Sequence, residues 1–270
     1  MILIYKYYNQ NNYPNIPYPS SANPNATIKS GGCGVCCGAM IVSSMTNTII
    51  NPQTMATYAI TKKARVSGGT DLNVLAKNIC IDYRLTYETT FDENKLLKHL
   101  KLGGMAVANV GGDRTGYTGI FSSEGHFIVV ATCNGNTLTI LDPGYYSGKF
   151  NKTGRKGKVT VDRNNYCYCD ISVLGKDTEN RSPAYWLFSK ESEDEDLVRY
   201  KKLSDIPTGL QAPIEALMNA GIIAGDGSDP TGNNDVIDLS HDQVRTLVFA
   251  YRGGAFDKKL KVMGLKTVVR

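Results

Sequence analysis

Histidine is scarce in this 270-residue chain, with three in all. No apolar run approaches the roughly 18 residues that cross a bilayer, so the sequence offers no transmembrane helix. The first ten residues, Met1-Ile-Leu-Ile-Tyr-Lys-Tyr-Tyr-Asn-Gln, lack both a basic start and an apolar core long enough for a secretory signal. The chain is therefore expected to begin in the cytoplasm. The seven cysteines are an odd number in a chain far too long for a disulfide-dense miniprotein. Reduced thiols are expected, with Cys80 and Cys133 as small core residues. No internal repeat of useful length is visible.

What is present suits one large domain with a small appendage. The hydrophobic fraction of 41% is ordinary for a globular protein. Residues 1–190 hold 20 Lys/Arg against 12 Asp/Glu, a net +8, whereas residues 191–270 hold 10 against 13, a net −3. A basic first part suits a polyanionic surface such as a cell wall or nucleic acid, or else simply keeps the protein soluble.

Residues 1–32 are rich in Tyr, Asn, Pro and Ser, which reads as an irregular lead-in with an edge strand at Met1–Tyr7. Helices are expected from Cys33 to Met45, from Pro52 with Asn51 as cap, at Asp71–Ile81 and at Asp92–Leu102. Strands are expected at Met105–Val110, His126–Thr132, Thr137–Leu141, Lys158–Asp162, Tyr166–Val173 and Tyr185–Phe188. Helices first and antiparallel strands later is an α+β order. The acidic run Glu191–Asp196 opens a solvated linker at 191–205. Residues 206–270 then form a small helical subdomain, with helices at Pro213–Asn219 and Ser240–Tyr251 around the polar loop Gly225–Asp238.

The chemistry lies in three places. Gly31-Gly32-Cys33-Gly34 puts a thiol where a loop becomes a helix, and the orphan N–H groups there favour a thiolate. Gly125-His126-Phe127-Ile128-Val129-Val130 puts one of the scarce histidines at the start of a buried strand. Leu141-Asp142-Pro143-Gly144 ends the next strand on a carboxylate, sixteen residues later. Thiol, imidazole and carboxylate are the parts of a cysteine hydrolase, and a side-chain amide would help to bind the oxyanion.

The stretch Thr27-Ile28-Lys29-Ser30-Gly31-Gly32-Cys33-Gly34-Val35-Cys36-Cys37-Gly38-Ala39-Met40 resembles the papain-like C39-type peptidases, and more narrowly their stand-alone relatives. The likeness extends to the His126 and Asp142 strands and to Tyr8-Asn9-Gln10-Asn11. It implies a papain-like fold, with N-terminal helices packed on an antiparallel sheet. It implies Cys33 as nucleophile, His126 as general base and acid, Asp142 as its orienting partner and Gln10 as oxyanion donor. Asn9, Asn11 and Asn15 compete with Gln10. The sequence departs at Val35-Cys36, where the family has Pro-Thr or Pro-Ser. Stand-alone relatives resemble cell-wall hydrolases, including phage endolysins that wait in the cytoplasm before reaching the wall. Peptidoglycan is thus the expected substrate, with a leader peptide or host protein as the alternative. No cofactor, metal, nucleic acid or membrane insertion is expected.

Other readings use the same residues. Cys33-Gly34-Val35-Cys36 is a C-x-x-C, but it lacks the βαβ setting of thioredoxin-like enzymes. Cys33 and Cys36 with Cys167 and Cys169 make a poor zinc pattern. A papain-like scaffold could also bind wall without cutting it. The tail Ala212–Gly225 is faintly similar to surface-layer-homology repeats, which would make residues 206–270 a wall-binding element. Asp226, Asp229 and Asp235 lack the spacing of an EF-hand.

Overall fold

A computed structural model describes residues 5–190, 198–225 and 236–268. The chain divides into two compact units, Met1–Glu191 and Ser192–Arg270. No helix among the described residues is long and apolar enough to cross a membrane.

The first unit is α+β. Its helices are α1 (Ile28–Gly31), α2 (Cys33–Met45), α3 (Pro52–Thr61), α4 (Leu72–Tyr83), α5 (Glu93–Lys101) and α6 (Ile171–Thr178). A short ribbon pairs β1 (Arg65–Val66) with β2 (Gly69–Thr70). The main sheet is built from β3 (Leu85–Thr90), β4 (Met105–Val110), β5 (His126–Asn134), β6 (Thr137–Leu141), β7 (Thr160–Val161), β8 (Cys167–Asp170) and β9 (Tyr185–Lys190). Its order is β3-β9-β4-β5-β6-β8-β7, and every pairing is antiparallel.

The helices start where the sequence supplies caps. Asn51, Asp71 and Asp92 each accept backbone N–H groups from the first turn that follows. Pro52 sits at the first position of α3, where its missing N–H costs nothing.

The central strands are apolar on both faces, and both faces are covered. On β4, Met105 and Val107 join the core beneath α2, α3 and α4, while Ala106, Ala108 and Val110 join the core shared with α5 and α6. On β9, Trp186 and Phe188 take the first side and Tyr185 and Leu187 the second. This is the period-2 alternation of a strand buried in two directions. The expected helices on a sheet are therefore present, but they lie on both of its faces.

Several expected elements differ. Tyr166–Val173 is a strand only over Cys167–Asp170. Asp170 then takes the Ser172 N–H at 2.9 Å and starts α6, because a capping carboxylate satisfies a helix N-terminus better than it continues a ladder. Lys158–Asp162 contributes only Thr160–Val161. The strand β3, Leu85–Thr90, was not expected; its Tyr and Thr residues pair along the whole of β9. Of the expected edge strand, Met1–Ile4 lie outside the described residues. Residues 5–9 form no strand, and a 3-10 turn follows at Gln10–Asn12, started by the Asn9 side chain.

In the second unit β10 (Arg199–Tyr200) pairs with β11 (Leu239–Ser240), beside α7 (Thr208–Asn219), α8 (His241–Arg252) and α9 (Asp257–Val262). Residues 199–205, expected as linker, thus include a strand and a 3-10 turn of this unit. Helix α7 begins five residues earlier than expected and carries Pro213 inside it. A proline there leaves the Gly209 carbonyl without its helical donor. Arg252 of α8 donates to that carbonyl at 3.1 Å. Asp226, Asp229 and Asp235 lie outside the described residues.

Candidate active site

Cys33 is the first residue of α2, and Gly32 is its cap. A Cβ on Gly32 would stand 2.5 Å from the Ile28 carbonyl oxygen, so only glycine lets α1 turn so sharply into α2. The Lys29 carbonyl, four residues before Cys33, accepts the Gln10 side-chain amide at 2.8 Å.

His126 opens β5 and Asp142 follows β6. Extending the register Val129↔Leu141 toward the sheet end sets Gly144 opposite His126, with Asp142 on the diagonal. A Cβ on Gly144 would come within 3.0 Å of the ring atoms Cε1 and Nε2. His126 Nε2 bonds Asp142 Oδ1 at 2.8 Å. That leaves Nδ1 as the nitrogen free to serve the Cys33 thiol, which lies within electrostatic reach of the ring.

Burial pushes the Cys33 thiol up. The hydrogen bond and charge of His126, with N–H groups of Phe127 and Gly34, outweigh it and hold the thiol below its ordinary value. Burial opposes the charged imidazole in turn, yet the Asp142 and Cys33 hydrogen bonds and charges raise His126 to about 9. Both shifts run in the direction of thiolate and imidazolium.

Asp142 is wholly buried. Burial raises its carboxyl, but the charge of Lys149, and then the hydrogen bond and charge of His126, bring it down to about 2. Besides the imidazole it accepts the Gly144 N–H at 2.8 Å and the Lys149 ammonium. Its own carbonyl accepts the Tyr7 hydroxyl at 2.8 Å. Lys149, only 4% exposed, also donates to the Gly144 carbonyl at 3.1 Å.

Lys149, Asp142 and His126 thus form one buried chain of contacts, with the Cys33 thiol next in electrostatic reach of the ring. A buried carboxylate shared by two cations is tolerable where a lone one is not. Sequence reasoning missed Lys149. It sits seven residues past Asp142 in a Gly-Lys-Phe turn that carries no signal of its own.

Of the candidate amides, Gln10 and Asn11 line a cleft of about 400 Å³ together with His126 and Gly144. Gln10 is tied to the Asp142 turn by its N–H on the Pro143 carbonyl at 2.8 Å, and its buried Oε1 has no partner among the described residues. Asn9 donates to Tyr145 and Tyr7. Asn15 is exposed. Gln10 keeps one amide N–H beyond the bond to Lys29.

Cys36 and Cys37 are buried in the core, and burial, then the Cys33 charge, push both thiols well up. Cys167 and Cys169 are buried on β8, within the core on the other side of the sheet. Among the described residues no group of three or more His, Cys, Asp or Glu side chains is placed to hold a metal ion.

No protein-family model and no curated protein matches the chain. Among solved structures it is similar to one assigned to a C39-like peptidase from Bacillus anthracis, at 12% sequence identity and a TM-score of 0.42, over 67% of this chain and 97% of that one.

Proposed function

We propose that this protein is a cysteine hydrolase of papain-like type that cleaves peptide or amide bonds, with bacterial peptidoglycan as substrate. One observation carries the reading. The His126 ring is held at 2.8 Å by a fully buried carboxylate, and its charge acts on a thiol at the first residue of a helix to lower that thiol's pKa. That arrangement prepares a thiolate and a proton donor side by side.

In this reading Cys33 Sγ attacks the substrate carbonyl, and the electron pair of the C=O moves onto oxygen. The Cys33 backbone N–H and the remaining Gln10 amide N–H donate to that oxyanion. His126 gives its proton to the leaving nitrogen as the C–N bond breaks, leaving a thioester. A water then attacks with its proton passing to His126, and the thiolate is released. Asp142 keeps the ring oriented and the imidazolium stable throughout. The sequence needs no cofactor. The net +8 of residues 1–190 supports an anionic wall as substrate.

The test is to incubate the purified protein and Cys33→Ala with Gram-positive walls and identify new termini by mass spectrometry. New amino groups on alanine or a diamino acid would mark an endopeptidase, and freed muramyl lactyl groups an amidase. Cleavage of soluble proteins without wall release would move the substrate to a leader or host protein. Undiminished release by Cys33→Ala would overturn the mechanism, and wall binding without any cleavage would leave a binding module.

A further inference from the structure

The cleft beside His126 contains a buried guanidinium with no ion-pair partner among the described residues. Arg155 lines it and is only 5% exposed. Its Nε–H donates to the Gly119 carbonyl at 2.7 Å. Among the described residues no carboxylate lies within 4.0 Å of its guanidinium. The nearby lining carboxylate, Asp113, is engaged with the Gly119 N–H at 2.8 Å. A guanidinium has five donors, and burying one uncompensated is costly unless an anion arrives to share them.

A second cation stands in the same wall. The Lys152 ammonium lies 5.5 Å from the centre of the Tyr146 ring, and it lowers the pKa of the Tyr146 hydroxyl. Thr118, Ser122 and Thr153 add polar groups to the lining. Lys149 is different, because Asp142 already pairs with it.

The position of the cleft says which part of a substrate it holds. His126 and Gly144 line it, whereas Cys33 does not. The imidazolium must face the departing nitrogen, so the cleft beyond it receives the leaving-group half.

We propose that Arg155 and Lys152 form a carboxylate-binding subsite, and that the leaving-group half of the substrate bears a carboxylate within a residue or two of the bond cut. Planar bidentate pairing is what a guanidinium offers a carboxylate. The carboxylate belongs either to an acidic side chain or to a free chain end. Its assignment to the leaving side rests on the hydrolase reading; the affinity for a carboxylate does not.

Full-length Cys33→Ala, which cannot turn over, is titrated calorimetrically with three dipeptides: Gly-Gln-amide, Gly-Glu-amide and Gly-Gln with a free C-terminus. At least one carboxylate ligand should bind about tenfold tighter than the neutral amide, the scale of one charge-assisted bond. The tighter of the two identifies the source. Adding Arg155→Gln should erase the preference, and Arg155→Lys should restore part of it. Should Arg155→Gln fail to fold, the exposed Lys152→Gln replaces it, with a loss of about threefold expected. Equal binding of all three ligands, no binding at all, or a preference indifferent to these variants overturns the proposal. Wild-type protein that shows the carboxylate preference but cleaves nothing would sink the hydrolase reading and leave the subsite standing.

Discussion

Lys149 and Gly144 set the environment of the His126–Asp142 pair. Replacing Lys149 with Met removes one of the two cations on a buried carboxylate. Chemical denaturation should show a loss of about 3 kcal/mol, the usual consequence of breaking one side of a buried pair. With Asp142 left to His126 alone, the imidazolium is held more firmly. The alkaline limb of the activity profile should then move to higher pH, a shift that mere loosening of the fold would not produce. Gly144→Ala tests the packing of the ring. Its new methyl would press on Nε2 and Cε1 at 3.0 Å, and a small misplacement of a general base costs about a hundredfold in rate. A kcat/KM within threefold of wild type would show that the ring has room to move.

The pH dependence follows from the same groups. Asp142 is depressed to about 2, so its stabilising contribution is complete above the ordinary carboxylate value near 3.8 and is lost as pH falls through 2. His126 is raised to about 9, so its contribution is complete below the ordinary 6.5 and disappears as pH rises through 9. Activity should be bell-shaped. Its acid limb follows ionisation of Cys33 and its alkaline limb, near 9, follows loss of the His126 proton. Initial rates across this range check it, and a profile still climbing beyond pH 10 would contradict the assignment of His126 as proton donor.

Elements differ in how plainly the sequence announces them. Asn51-Pro52, Asp71 and Asp92 are caps readable by eye, and the helices after them begin where expected. The segment around Asp170 is harder, because Tyr166-Cys-Tyr-Cys alternates like a strand and the apolar residues beyond it could extend that strand. Only the geometry of the sheet, which ends the β6–β8 pairing at Thr137↔Asp170, frees the carboxylate to cap α6. That helix matters to the cleft. Its buried Asp177 accepts the Ile120 and Phe121 N–H groups at 2.8 and 3.1 Å, fixing the segment that carries the Gly119 carbonyl. Asp170→Ala should lower the urea midpoint of unfolding, as the loss of an N-cap does. No change would mean that the Ser172 bonds contribute nothing to the helix start.

At the scale of the whole molecule, all the candidate catalytic groups and both main cores lie within residues 1–191. A fragment of those residues should fold and keep its activity on small peptides, checked by circular dichroism and by hydrolysis rates. Among the described residues of the second unit only nine apolar residues are buried, from Tyr200 to Leu260. A fragment of that unit should be far less stable, because so little buried area barely offsets the entropy of ordering it.

The sequence by itself determined the local chemistry: a thiol at a helix start, an imidazole opening one strand and a carboxylate ending the next. Caps, turns and alternation act over a few residues, so a linear reading reaches them. Tertiary structure alone brought Cys33 within electrostatic reach of His126, placed Lys149 against Asp142 and buried Arg155 with no carboxylate of the described residues within 4.0 Å. Those contacts depend on strand register and on which loop covers which sheet end. They arise from the summed packing of distant segments, for which no single stretch of chain carries a local signature.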